Sequence, residues 1–263
     1  MVKTIKANNP ELTSWINIPE NSDFPIQNLP FGIYSTNEKN KRVGVAIGDK
    51  IIDLQCLKEL QFFEELPFKT EDFSNNFLNE MMSYGKEEIR KLRNRISDLL
   101  NSSNKELSDN KNAVAKCVDL QAQSTMHLPV QIGDYTDFYS SEQHAYNVGC
   151  MFRDPKNALL PNWKHIPVGY HGRSSSIIPS GQPIHRPKGQ QKLDSSDQPV
   201  FGPCKLLDFE LEMGFITFEG KPLGEQIKTD EADEYIFGMC LFNDWSARDI
   251  QKWEYIPLGP FLA

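Results

Sequence analysis

The chain has 263 residues and a mass of 30.1 kDa, with 39% hydrophobic and 24% charged residues. That is enough apolar material for a real core in one large domain or two ordinary ones, and it excludes global disorder. With 28 Lys and Arg against 36 Asp and Glu, the net charge is −8, which argues against bulk attraction to nucleic acid or an anionic membrane.

The first third reads as a small β unit. Phe31–Ser35, Arg42–Ile47 and Lys50–Leu54 are strand candidates, and Gly48-Asp49 is a two-residue hairpin turn between the last two. Ile89, Leu92, Ile96, Leu99 and Leu100 recur at helical spacing. They predict an amphipathic helix, preceded across Gly85 by a shorter one over Asn76–Tyr84. The polar run Asn101–Asn112 reads as a loop. Met1–Lys6 has no apolar signal core and no stretch approaches about 18 apolar residues, so a cytoplasmic location is expected. The five cysteines, Cys56, Cys117, Cys150, Cys204 and Cys240, are odd in number and scattered, and are read as thiols.

From Met126 onward aromatic residues, Gly, Pro and His become dense, which places a domain boundary near Met126–Pro129. Ile177–Cys204 reads as edge strands and turns, and Lys205–Phe218 as strand. Glu210 and Glu212 stand two apart and would share a strand face, with Phe209, Leu211 and Met213 turned to a core. Two acidic side chains on a wet strand face are the ordinary alternative. Asp244, Arg248, Gln251 and Tyr255 follow helical spacing, with Pro257 as the stop; a helix cap and a surface ion pair account for the first two equally well. A histidine side chain can serve as a proton acceptor or a metal ligand, but on spacing alone His144 is equally a structural residue. Asp134 reads as a turn residue, and His171 with Arg173 as a polar loop.

If Asp137, Glu210, Glu212 and Asp244 converge, an all-oxygen set of that charge selects Mg²⁺ or Ca²⁺ over Zn²⁺. There is no H-E-x-x-H, phosphate loop, dinucleotide fingerprint or G-x-S-x-G elbow.

Several stretches resemble the fumarylacetoacetate hydrolase family. They are residues 24–34 (F-P-I-Q-N-L-P-F-G-I-Y), 132–153 (I-G-D-Y-T-D-F-Y-S-S-E-Q-H-A-Y-N-V-G-C-M-F-R), 161–176, 205–213 (K-L-L-D-F-E-L-E-M) and 243–262. The resemblance implies a mainly β fold with α. It would comprise an N-terminal SH3-like barrel with a helical insertion (1–128) and a partial mixed β-roll (129–263). It implies hydrolysis of the C–C bond of 4-fumarylacetoacetate to fumarate and acetoacetate, in tyrosine and phenylalanine catabolism, with Mg²⁺ or Ca²⁺ as cofactor. The partners implied are the small-molecule substrate and a second copy in a homodimer, with neither nucleic acid nor membrane. Carried over by position, Asp137, Glu210, Glu212 and Asp244 would hold the metal. His144 would be the base, Arg248 and Gln251 would face developing negative charge, and Tyr139, Arg153, Tyr170, Gln251 and Tyr255 would contact substrate. The family pattern continues past Ala263 with a lysine, an acidic partner for the histidine and a threonine. The chain is therefore expected to be a fragment, inactive alone. The alternatives are another superfamily member acting on oxo-acids, or a fragment that only binds metal.

Overall fold

A computed structural model describes residues 5–166, 168–193 and 195–256, without the side chains of Met151 and Phe152. The fold is mainly β with α. It divides into two units, one built on residues up to 131 together with 211–244, the other on residues 132–210 together with those from 245 onward.

The first unit contains the three expected strands, β1 (Phe31–Ser35), β2 (Arg42–Ile47) and β3 (Lys50–Asp53). Ile47 pairs with Lys50, so the β2–β3 turn has two residues, and Gly48 supplies its positive φ of 57°. β3 ends at Asp53 because its side chain accepts from the Cys56 amide and caps α1 (Leu54–Glu59). Two single turns follow, α2 (Thr70–Phe73) and α3 (Asn79–Met82), the latter shorter than the helix expected over residues 76–84. α4 (Gly85–Leu100) buries the five apolar residues whose spacing predicts it. α5 (Lys111–Cys117) starts inside the stretch read as loop, because Asn110 accepts from the Ala113 amide and caps it. β4 (Val118–Leu120) and β5 (Thr125–His127) complete an antiparallel five-stranded sheet in the order β4-β3-β2-β1-β5.

A polar network lies within this unit. Asp53, with no exposed side-chain surface, meets Lys39 at 3.1 Å and Arg42 at 3.2 Å. Tyr34 is fully buried and donates to Asp119 at 2.6 Å. Its burial, then the Asp53 charge and the bond to Asp119, push the phenol well above its usual range.

The reading of five thiols is corrected here. Cys56 and Cys117 form a disulfide, with Cα atoms 5.4 Å apart, and Cys150, Cys204 and Cys240 are free. α1 and α5 pack together, a pairing that linear spacing does not encode.

The second unit begins with β6 (Thr136–Tyr139), then α6 (Glu142–Phe152), whose N-cap Ser141 accepts from the His144 amide. β7 (Val168–His171) pairs antiparallel with β6. β8 (Lys188–Gln191) and β9 (Val200–Pro203) form a second hairpin, and β10 (Leu207–Asp208) precedes the crossing back into the first unit. There β11 (Leu211–Thr217) and β12 (Ile236–Asn243) form a ladder. Within the first unit, Phe237 contacts Phe31, and Arg90 meets Glu234 at 3.9 Å. Lys86 donates to the Asp233 carbonyl.

Returning to the second unit, β13 (Ser246–Ala247) pairs with β10, and α7 (Arg248–Glu254) follows. Ile250 buries against Cys204 and Ala247, with Leu207 packed on the cluster. Gly189 on β8 leaves room for it, since a Cβ there would lie 2.9 Å from Ile250. The Asp249 carboxylate accepts from Cys204 Sγ at 2.9 Å and from the Lys205 amide at 2.8 Å, tying the start of α7 to the end of β9.

Two further expectations fail. Phe209, Leu211 and Met213 do not face a core; they are 63%, 73% and 56% exposed. The register pairs Met213 with Leu241 and Phe215 with Met239, so the ladder collects its large apolar side chains on an exposed face. Asp244 does not open a helix. β13 intervenes, because Ser246 and Ala247 pair with Asp208 and Leu207, and the helix starts only at Arg248. The expected stop at Pro257 lies outside the described residues.

Candidate active site

Helix α7 brings Arg248 and Gln251 together at one end of the second unit. The Arg248 amide donates to the Leu206 carbonyl at 2.9 Å. Its guanidinium then meets three side chains among the described residues. Nη2 donates to Glu210 Oε1 at 2.5 Å, Nε to Asp208 Oδ2 at 3.2 Å and Nη1 to Gln251 Oε1 at 3.2 Å. Burial works against the charge, but bonds and charges from Glu210 and Asp208 outweigh it and raise the Arg248 pKa further. A guanidinium gripped by carboxylates on two nitrogens is held in plane, which a lysine ammonium in its place would not reproduce.

Tyr139 lies in the field of the same groups. Burial raises its phenol; Arg153 lowers it, Glu210 raises it and Arg248 lowers it, with a net rise. The hydroxyl is therefore a neutral donor at ordinary pH. Its ring meets the imidazole of His144 edge-on, with centroids 5.2 Å apart. His144 is exposed on the first turn of α6, one turn from its cap. Arg153, just past the other end of α6, turns back so that Nε and Nη2 donate to the Ala158 carbonyl at 3.2 and 2.7 Å. Asp137 and Tyr170 are directly opposed in the β6–β7 ladder. Asp134 and His171, read as turn and loop residues, face each other at 3.4 Å and are both largely exposed. Tyr255 caps the end of α7 and is 45% exposed.

In the first unit, Glu212 pairs with Phe242. Asp244 lies two residues beyond Phe242, so the register gives Glu212 and Asp244 one face of the ladder as diagonal neighbours. Asp137, Glu212 and Asp244 are each half-buried and each able to offer a carboxylate oxygen to an ion. Hard oxygen donors of this kind fit Mg²⁺ or Ca²⁺ better than a thiophilic or imidazole-seeking metal.

Two contributors were not singled out from sequence. Asp208 holds Arg248, and the signal was available in its position two before Glu210 on one run of alternating residues. Asp249 ties down α7, and nothing in sequence links it to Cys204, 45 residues away.

Residues 27–129 match the model for fumarylacetoacetase N-terminal domains, and residues 135–263 the model for fumarylacetoacetate (FAA) hydrolase C-terminal domains. Among curated relatives, a fumarylacetoacetase of Homo sapiens is 55% identical over 252 residues, covering 95% of this chain and 60% of the relative. One of Mus musculus is 54% identical over 251 residues, with the same coverage. One of Arabidopsis thaliana is 45% identical over 254 residues, covering 96% and 60%. The chain thus spans about 60% of the length of these relatives.

Proposed function

Because the chain belongs to the fumarylacetoacetate hydrolase family, we propose that it carries part of the active site of a hydrolase cleaving the C–C bond of 4-fumarylacetoacetate to fumarate and acetoacetate. The observation that carries this reading is the Arg248 clamp. A guanidinium fixed by Glu210, Asp208 and Gln251, with the protonated Tyr139 in its field, suits a carbonyl oxygen that becomes negative.

Hydrolysis of a β-diketone requires attack of water on a carbonyl and departure of an enolate. His144 accepts the proton of the attacking water. Arg248 and Gln251 donate toward the tetrahedral oxyanion. Tyr139, Arg153, Tyr170 and Tyr255 orient the substrate through hydroxyl and guanidinium donors. Asp137, Glu210, Glu212 and Asp244 would hold a divalent cation, Mg²⁺ or Ca²⁺. A cation held there would supply Lewis-acid activation and positive charge to offset the developing enolate. Glu210 can serve both the cation and Arg248, since a carboxylate offers two oxygens.

The five-stranded sheet is proposed as the SH3-like barrel of this family, the whole protein as a cytoplasmic homodimer, and its pathway as tyrosine and phenylalanine catabolism. Turnover by the whole protein, read as loss of the diketone's ultraviolet absorbance, is expected only with Mg²⁺ or Ca²⁺ present. Arg248→Ala is expected to reduce it about 10²–10³-fold. Glu210→Gln is expected to weaken calorimetrically measured Mg²⁺ and Ca²⁺ binding. Undiminished turnover in both variants would refute the reading.

A further inference from the structure

The Cys56–Cys117 bond uses none of the candidate active-site residues. It joins the first turn of α1 to the last residue of α5, across a sequence separation of 61. The loop it closes contains all of α2, α3 and α4. Its two residues differ in exposure, since Cys117 has no exposed surface whereas Cys56 is half-buried. The rest of the chain is not a disulfide scaffold. Three cysteines remain thiols, one of them donating its S–H to Asp249. The first unit also buries a core of many large aliphatic and aromatic side chains, far more than the small domains that depend on a covalent staple.

We propose that Cys56 and Cys117 form a reversible thiol–disulfide modification site, entered at Cys56 by small soluble dithiols, that sets the stability of the helical part of the first unit. In the reducing direction a reductant thiolate attacks the Cys56 sulfur. The S–S bond breaks, and its electron pair leaves on the Cys117 sulfur, which takes up a proton. The second thiolate of the same reductant then attacks the sulfur it first joined to Cys56, and Cys56 departs and is protonated. Two electrons pass from the dithiol to the protein, and the reductant ends as a cyclic disulfide. Oxidation by the disulfide of a small thiol runs the reverse exchange. The attack falls on Cys56 because a thiolate must approach in line with the S–S bond, and burial closes that approach at Cys117.

The consequence is thermodynamic. The bond restricts the unfolded chain, by more for a longer closed loop, and this one is long. Opening it removes the covalent tie between α1 and α5, which among the described residues are otherwise joined only by packing.

The test is a thiol count on the 263-residue chain by alkylation and mass spectrometry, after equilibration with dithiothreitol and its cyclic disulfide at graded ratios. Three alkylated cysteines are expected at the oxidising end and five at the reducing end, with the change confined to Cys56 and Cys117. The thermal midpoint of the first unit is expected to fall by roughly 10 °C on reduction. Cys56→Ser, at the more exposed position, is expected to show four alkylated cysteines at every ratio and the midpoint of the reduced chain. Five alkylated cysteines throughout, a bond that persists in the folded protein at the reducing end, or a Cys56→Ser midpoint that still responds to dithiothreitol would each overturn the proposal.

Discussion

Arg248 and Glu210, 38 residues apart in sequence, meet at 2.5 Å through Nη2 and Oε1. This contact holds one nitrogen of the guanidinium, and Asp208, 3.2 Å from Nε, holds a second. Asp208→Asn keeps an acceptor beside Nε but removes its charge. A charge-assisted bond exceeds a neutral one by about 1 kcal/mol, so turnover of the whole protein is expected to fall roughly fivefold. Mg²⁺ affinity measured by calorimetry is expected to stay the same, because Asp208 is not among the proposed ligands. Wild-type turnover in this variant would remove Asp208 from any role in positioning Arg248.

Asp249 supplies a pH dependence. Burial raises its pKa, but the Cys204 thiol and the Lys205 amide donate to the charged carboxylate and leave the group below its ordinary range. A carboxyl depressed in the folded state stabilises the fold above its unfolded pKa of about 4, and that contribution is lost as the pH falls through the folded value. Asp249→Asn should therefore lie furthest below wild type above about pH 4, and the gap should close as the pH is lowered further. Thermal midpoints at graded pH would check this; a gap that widens in acid would be the wrong sign.

Ile250 is the largest side chain in the small core under α7. Ile250→Ala leaves a void beside Gly189, Cys204 and Ala247, and buried truncations of this kind cost about 2–5 kcal/mol. Urea unfolding of the second unit, followed through Trp253 fluorescence, is expected to move to lower denaturant concentration by a matching amount. Trp253 reports on this region because its Nε1 donates to Gln190 Oε1 at 3.1 Å on β8.

Asp53 performs two tasks, capping α1 and neutralising Lys39 and Arg42. Removing the fully buried carboxylate takes it from Arg42, while Lys39 keeps Asp119 at 2.7 Å, so the cost is expected near the lower end of about 3–5 kcal/mol. Asp53→Ala is expected to unfold the first unit at markedly lower denaturant concentration. Asp53→Asn is expected to recover part of the loss, since an amide oxygen can still accept from the Cys56 amide. If both variants unfold with wild type, the network carries no stability.

Local signals were legible and distant pairings were not. Gly48 between two alternating runs identifies β2 and β3, and the apolar spacing of Ile89 to Leu100 identifies α4, because each pattern reports on neighbours along the chain. Arg248, Glu210 and Gln251 stand out in the sequence, but Asp208 and the geometry of the clamp do not, since the clamp depends on β10 pairing with β13. Asp244 was misplaced because a spacing of four residues to Arg248 imitates one helical turn even when a strand lies between. The apolar alternation of residues 209–213 identifies β11 but not which face is covered, because a period of two only separates the faces. The Cys56–Cys117 pairing had no linear signature at all.

The first unit is interrupted: residues 211–244 return to it after residues 132–210 have gone elsewhere. During synthesis Phe31, Lys86 and Arg90 leave the ribosome long before Phe237, Asp233 and Glu234 exist to meet them. The nascent unit must therefore wait with one side unfinished while the whole intervening stretch is translated, and that interval is when chaperones and proteases would find it most open.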